Sequence, residues 1–158
     1  TVKSLLGNQK VINKLISKTP NVRFDLYGMN NKQPIWADDY LLAISQSKIG
    51  LNLSQGKSSK YYSSDRFSQL IGNGLLVMVD KETSLGDFFN KNEIIQYSNI
   101  SDLSEKIIKY NKDNKLRNKI AKNGRTKYFK YFNSTIIAEF IINKTFGFKK
   151  KYYWENIY

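Results

Sequence analysis

Apolar residues recur along this chain with two spacings, one typical of helices and the other of strands. Near the start, leucines and isoleucines three and four positions apart predict an amphipathic helix over 4–17, and Pro20 follows it as a helix stop. Alternating or continuous apolar runs predict four strands. These strands cover residues 22–27, 48–53, 75–79 and 94–97.

Helical segments separate and follow these strands. A short helix is expected after Asp38, and one or two helical turns at 84–89. Four further helices cover residues 65–71, 102–111, 114–129 and 134–143. Asp102 and Glu105 resemble a capping box at the start of one of them. Strands that alternate with helices indicate an α/β fold with a parallel sheet, and right-handed connections place helices on both faces.

The composition excludes several kinds of chemistry. The 158 residues include no cysteine and no histidine, which excludes thiolate and imidazole metal sites and any catalytic histidine. The Asp and Glu residues form no cluster with the spacing of a carboxylate metal site. No apolar run approaches the roughly 20 residues that cross a bilayer. We therefore predict no metal ion, no bound cofactor and no catalytic residue in this chain.

The charge is strongly positive: 26 Lys and Arg residues oppose 13 Asp and Glu residues, which gives a net charge of +13. A field of this sign attracts nucleic acid, anionic lipid or phosphorylated ligands. The basic residues are mostly lysine in a chain rich in Asn and Ile, which is also typical of an AT-rich genome. In the tail, 146–158, aromatic residues interleave with Lys149, Lys150 and Lys151. Such a tail either packs back on the domain as an aromatic belt or contacts a partner.

Ligands of open α/β sheets bind at the carboxyl ends of the strands. Three segments of this chain should meet there. They are 27–28 with the loop behind it, 52–64, and 80–84. The predicted binding residues lie in the first two segments and in the helix that follows the second. They are Tyr27, Gly28, Asn52, Ser63, Ser64, Asp65, Arg66 and Gln69.

The most informative of these positions open a helix at Ser64 and Asp65. A helix N-terminus presents unpaired N–H groups and about half a positive charge, which suits a phosphate or diphosphate. Arg66 can bind phosphate oxygens with its fork of N–H donors. Gln69, three residues later, lies on the same face and can bond a ribose or sugar hydroxyl. The alternative is structural: Ser64 or Asp65 only caps the helix, and Arg66 lies on its surface.

The stretch 61–76 resembles the donor-site helix of the group 1 glycosyltransferases, and more closely the branch of glycosyltransferase-like spore-maturation and capsule proteins. Three further segments are similar to the same family: a strand that ends in Tyr-Gly at 24–28, Tyr40 together with 47–53, and a C-terminal helical signature. That signature comprises Arg117, 120–121, 124–125 and 132–133. The resemblance covers residues 15–142.

The resemblance implies a GT-B fold, in which two Rossmann-like domains face a cleft. This chain would be the C-terminal half of that fold, a single nucleotide-sugar-binding domain over 1–158. Arg66 would help to hold the diphosphate of the donor. At the position of Gln69 the family usually has a glutamate that grips ribose or sugar hydroxyls. An amide can still donate or accept a hydrogen bond there, but without the assistance of a charge.

The function implied is transfer of a sugar from a nucleoside-diphosphate sugar to a glycan or other acceptor of the cell envelope, and the resemblance suggests retention of configuration. The N-terminal acceptor domain would be missing, so this domain alone would be inactive. We expect a cytoplasmic location, at the inner face of the membrane if the tail contacts anionic lipid.

Two alternatives without catalysis stay open. One is a basic nucleic-acid-binding domain, and the other is a membrane-surface interaction domain. The sequence contains no RNA-recognition stretch, helix-turn-helix or zinc finger, which weighs against nucleic acid.

Overall fold

Three parallel strands form the sheet in the residues that the computed structural model describes, 9–28, 31–53 and 58–157. The strands are β1 Ile49–Asn52, β2 Leu76–Asp80 and β3 Ile95–Tyr97, in the order β1-β2-β3. Strand β2 therefore pairs on both sides, with Gly50 opposite Val77 and Met78 opposite Ile95. The strands predicted at 48–53, 75–79 and 94–97 are confirmed, with ends that differ by at most one residue.

The strand predicted at 22–27 is wrong. This segment has no regular secondary structure and pairs with no described strand, and residues 22–25 and Ile49 of β1 line a common cavity of about 270 Å³. Its apolar alternation still has a structural basis, because Leu26 is buried and Val22 packs against the same core. The alternation of apolar residues thus identifies the side chains that face the core. The backbone of this segment nevertheless forms no hydrogen bonds with a neighbouring described strand, so it is not part of the sheet.

Six α-helices and three short 3₁₀ turns complete the described part of the chain. The helices are α1 Gln9–Lys18, α2 Ala37–Ser45, α3 Asp65–Gly72, α4 Ile100–Lys112, α5 Asn114–Tyr131 and α6 Ser134–Thr145. The 3₁₀ turns are Lys81–Thr83, Leu85–Asp87 and Tyr153–Asn156. The predicted helices after Asp38 and at 65–71, 102–111, 114–129 and 134–143 are confirmed. Of the predicted helix 4–17, residues 4–8 lie outside the described residues, and the turns expected at 84–89 are 3₁₀ in form.

Side-chain caps determine where the last three helices begin. Asn99 accepts a hydrogen bond from the backbone N–H of Asp102 at 3.0 Å, and Asn133 caps α6 in the same way. Asp113 caps α5. The capping box predicted at Asp102 and Glu105 is therefore wrong, because α4 begins two residues earlier, at Ile100, and Asn99 supplies the cap.

Two apolar clusters cover the two faces of the sheet. Because side chains alternate along a strand, Leu76 and Met78 of β2 join one cluster, whereas Val77 and Val79 join the other. The first cluster includes buried residues of α1, α4 and α5. These are Ile12, Leu15, Leu103, Ile107, Ile120 and Ala121. The second includes Phe67, Leu70 and Ile71 of α3, together with Ile44 of α2. The predicted α/β fold, a Rossmann-like parallel sheet with helices on both faces, is confirmed.

Gly124 allows α5 to pass directly over the chain that leads into β3. A Cβ atom at this position would lie 2.2 Å from the backbone oxygen of Glu93. We expect Gly124→Ala to lower the free energy of unfolding by about 1–3 kcal/mol, because the backbone must move to admit the methyl group. Urea unfolding followed by circular dichroism measures this change.

Gly72→Ala is the matched control. A Cβ at Gly72, the last residue of α3, meets only ordinary contacts, the nearest being Phe129 at 3.9 Å. Alanine also has the higher helix propensity. The control should therefore leave stability unchanged or raise it, and a Gly124→Ala protein as stable as this control would contradict the close approach.

Candidate functional site

The carboxyl ends of β1 and β2 lie at one edge of the sheet, and the first turn of α3 is fastened to the end of β1. The Ser64 hydroxyl donates a hydrogen bond to Asn52 Oδ1 at 3.1 Å. Arg66 Nη1 donates to the backbone oxygen of Leu53 at 2.9 Å. Asn52 is itself buried. Four residues from two distant parts of the sequence therefore form one compact arrangement at the sheet edge.

Ser64 occupies the N-cap position of α3 but does not cap the helix with its side chain. Its backbone is extended, and its hydroxyl is directed to Asn52 instead of the first N–H groups of the helix. Asp65, the next residue, is exposed. The first N–H groups of α3 thus receive no hydrogen bond from the Ser64 side chain, and they carry the partial positive charge of a helix N-terminus, which the Asp65 carboxylate in the first turn partly offsets. The alternative prediction, that Ser64 only caps the helix, is therefore wrong for its side chain.

Arg66 is buried, with 7 % of its surface exposed. The alternative prediction, that it lies on the helix surface, is wrong. Its guanidinium donates a hydrogen bond to the Leu53 carbonyl. Among the described residues, no carboxylate forms an ion pair with Arg66. A buried cation without a counter-charge is unfavourable. This arrangement suits an anion placed between the guanidinium and the N-terminus of α3.

Tyr40 from α2 positions the side chain of Gln69. The Tyr40 hydroxyl donates to Gln69 Oε1 at 2.5 Å. Burial, with a smaller effect from the Asp65 carboxylate, raises the pKa of Tyr40, although the charge of Arg66 opposes the rise. The phenol is therefore a donor at neutral pH. Because this contact occupies the amide oxygen, the amide NH₂ of Gln69 points the other way and is offered as a donor.

Tyr27 and Gly28 form a separate turn. The Gly28 N–H donates to the Lys32 oxygen at 3.1 Å, and the backbone at Gly28 has φ +73°, a conformation that favours glycine. Within the described ranges, no hydrogen bond joins this turn to the arrangement around Arg66. The structure thus explains Gly28 as a turn residue and does not bring Tyr27 into contact with the other predicted residues.

Ser63 faces a different space from its neighbour Ser64. It lines a cavity of about 320 Å³ whose walls are mostly aromatic. Those walls include Tyr61, Phe67, Phe88, Phe89, Phe132 and Trp154. Several of these rings meet edge to face, such as Tyr61 and Phe88 at 5.1 Å between centroids. Ser63 is therefore at the boundary between the polar site and an apolar cavity.

Asp80 is not among the binding residues predicted from the sequence, although the segment 80–84 is predicted at the sheet edge. The Asp80 carboxylate accepts hydrogen bonds from the Ser58 hydroxyl and from the Glu82 N–H, both at 3.0 Å. Tyr61 adds a second link, because its N–H donates to the Thr83 oxygen at 2.7 Å. These contacts hold the end of the 58–64 loop against β2. The position of Asp80, directly after a buried strand, was the signal in the sequence.

A comparison with protein families places this arrangement in context. The model of the glycosyl transferase-like family matches residues 8–143. The chain belongs to this family. The predicted glycosyltransferase resemblance is confirmed at this level, and membership supports a role in glycosyl transfer; the spore-maturation and capsule branch stays a prediction. No curated protein gives a significant match.

Within the ranges that the structure describes, no group of three or more acidic, cysteine or histidine side chains is placed to hold a metal ion. None of the described helices is both long and apolar enough to cross a membrane.

Tyr97, at the end of β3, should make the stability of the domain fall at alkaline pH. Burial, with a smaller effect from the Asp80 carboxylate, raises the pKa of Tyr97. The unfolded chain then ionises this phenol at a lower pH than the folded domain, so stability is complete below about pH 10 and falls above it. At pH 11 we expect Tyr97→Phe to recover roughly 1 kcal/mol of this loss.

Urea unfolding at pH 8 and pH 11 measures the effect. Tyr62→Phe is the control, because Tyr62 is exposed, unlike Tyr97. Equal alkaline losses in the wild type, Tyr97→Phe and Tyr62→Phe would show that burial of Tyr97 has no part in the pH dependence.

Proposed function

We propose that this domain binds the nucleoside-diphosphate part of a sugar donor and acts as the donor-binding half of a GT-B glycosyltransferase. The observation that carries the proposal is the burial of Arg66 beside the uncapped N-terminus of α3, without a carboxylate partner among the described residues. A diphosphate supplies the missing negative charge. It also offers several oxygens to a guanidinium whose N–H groups form a planar fork.

The same arrangement suits the chemistry of glycosyl transfer. When the bond between the sugar and the diphosphate breaks, negative charge develops on the departing diphosphate. The Arg66 guanidinium and the N–H groups of α3 are held in place by Leu53 and Asn52, so they need not reorganise as the charge develops. We propose that this domain stabilises the leaving group, and that a second domain supplies the acceptor, a glycan or other component of the cell envelope. Such a reaction would take place on the cytoplasmic side of the membrane.

We expect Arg66→Ala to weaken binding of a nucleoside diphosphate by about tenfold or more, because charge-assisted hydrogen bonds to the phosphates are lost. Ligand-observed NMR with UDP, GDP, dTDP and CMP measures binding and selects the nucleotide. One diphosphate should bind in preference to the others, and its binding should depend on Arg66. Equal, salt-sensitive binding of all four nucleotides would leave only a positively charged scaffold and would contradict the proposal.

The control is the second buried arginine of the domain. Arg117 Nη1 donates to the Tyr110 carbonyl at 3.0 Å, just as Arg66 donates to the Leu53 carbonyl. Arg117→Ala should therefore destabilise the fold by a similar amount, about 1–3 kcal/mol, but leave binding of the nucleotide unchanged. If both variants lose binding in proportion to their loss of stability, Arg66 has only a structural role.

The contact between Tyr40 and Gln69 predicts how the donor is recognised. With its oxygen held by Tyr40, the Gln69 amide donates to the ligand, so the ligand group must accept. A ribose or sugar hydroxyl can do so even when it is methylated, because the ether oxygen still accepts a hydrogen bond. A glutamate at this position would instead require the hydroxyl to donate.

We therefore expect Gln69→Glu to change the response to methylation of the ribose. The preferred diphosphate is compared with its 2′-O-methyl and 3′-O-methyl forms on both proteins, so that any steric cost of the methyl group is common to both. When the hydroxyl that Gln69 contacts is methylated, the affinity of the wild type should fall about tenfold less than the affinity of Gln69→Glu. The same methylation ratio in both proteins would contradict this role.

A further inference from the structure

Helix α6 and the turn after it expose five large apolar side chains. They are Ile137, Ile141, Ile142, Phe146 and Phe148, which we call the α6 surface. Phe146 and Phe148 are the most exposed, at 69 % and 61 %, and their rings lie 6.3 Å apart. No residue of α6 is fully buried. Single exposed apolar residues are common, but a contiguous group of this kind marks an interaction site.

The opposite side of α6 already has its partner within the chain. Phe140 packs edge to face against Tyr152 and Trp154 of the tail, with ring centroids 5.1 and 5.3 Å away. Asn143 Nδ2 donates to the Tyr152 hydroxyl at 2.6 Å. Of the two alternatives predicted for the basic aromatic tail, packing back on the domain is confirmed for part of it, and contact with a partner stays a prediction. Tyr152 and Trp154 pack back on the domain, whereas Phe146 and Phe148 remain exposed.

Ion-paired side chains of both signs border the α6 surface. Each residue advances about 100° around a helix, so Lys144 and Glu139 lie on either side of the strip formed by Ile137, Ile141 and Ile142. Lys144 pairs with Glu155, and Lys150 pairs with Glu139.

Two further lysines lie beside this surface. Lys149 and Lys151 directly follow the exposed aromatic pair and form no ion pair with any described residue. The charge of Lys151 still acts on the Glu155 carboxylate, whose pKa it helps to lower. The exposed apolar group therefore has cationic side chains beside it that form no ion pair of their own among the described residues.

We propose that the α6 surface docks on an anionic lipid surface. Phe146 and Phe148 enter the boundary between headgroups and acyl chains, the isoleucines of α6 lie along that boundary, and Lys149 and Lys151 meet the anionic headgroups. Charge favours lipid over a neutral apolar partner, because the lysines stand beside the apolar strip and the whole chain carries +13. Docking does not depend on binding of a nucleotide, so the two proposals can fail separately.

Vesicle co-sedimentation tests the apolar contribution. The protein is mixed with vesicles of phosphatidylcholine alone, or of phosphatidylcholine and phosphatidylglycerol in equal parts. It should bind the second kind only, and the double variant Phe146→Ser, Phe148→Ser should weaken binding by about tenfold or more while circular dichroism stays unchanged. Trp36→Ser is the control, because Trp36 is as exposed as Phe146 but lies far along the chain, before α2. An equal loss with Trp36→Ser would overturn the proposal.

A second pair of variants separates docking from general electrostatic attraction. Lys149→Ser with Lys151→Ser removes two charges beside the α6 surface, and Lys115→Ser with Lys119→Ser removes two exposed charges on α5. The first pair should weaken binding to anionic vesicles several times more than the second. Equal losses, or absence of binding to both kinds of vesicle, would overturn the proposal. So would a dimer in size-exclusion chromatography that Phe146→Ser and Phe148→Ser dissociate, because the α6 surface would then be a protein interface.

Discussion

Burial of the central strand β2 determines where each part of the candidate site lies. Leu76–Asp80 pairs with a strand on each side, and its alternate side chains enter two different apolar layers. A shift of one residue would send every one of these side chains to the opposite layer, so the register is strongly determined. Asp80 is therefore held at the sheet edge, where it binds Ser58 and anchors the loop that leads into α3.

The two buried arginines show how similar contacts can have different consequences. Both donate to a backbone carbonyl, but Arg117 has the Asp113 carboxylate nearby, which opposes the effect of burial on its pKa. Arg66 has its hydrogen bond to Leu53 but no ion pair among the described residues. One carbonyl orients a guanidinium without neutralising it. Arg66 is thus buried like a structural residue, but its charge has no ion-pair partner among the described residues. This difference is the physical basis for proposing an anionic ligand at Arg66.

The accuracy of the sequence predictions follows from the range of the interactions involved. Helices and buried strands depend on local periodicity, and most of them were predicted to within a few residues. Whether 22–27 pairs with β1 depends on the distance between these two segments in space. The alternation of apolar residues along the sequence carries no information about that distance. The same holds at the candidate site: Arg66 and Gln69 were predicted as binding residues from their place in a helix, but Tyr40 lies 29 residues before Gln69, and no spacing rule connects the two.

The turn at Gly147 divides the basic aromatic tail into a packed part and an exposed part. Its φ of +73° lets the chain end α6 and reverse, and the Phe148 N–H donates to the Asn143 oxygen at 2.8 Å as this turn closes. Beyond it, Tyr152 and Trp154 return to the domain, where Trp154 stacks on Phe132. The aromatic residues on either side of Gly147 are left at the outside of the turn. Exposure of Phe146 and Phe148 is therefore a consequence of how α6 ends.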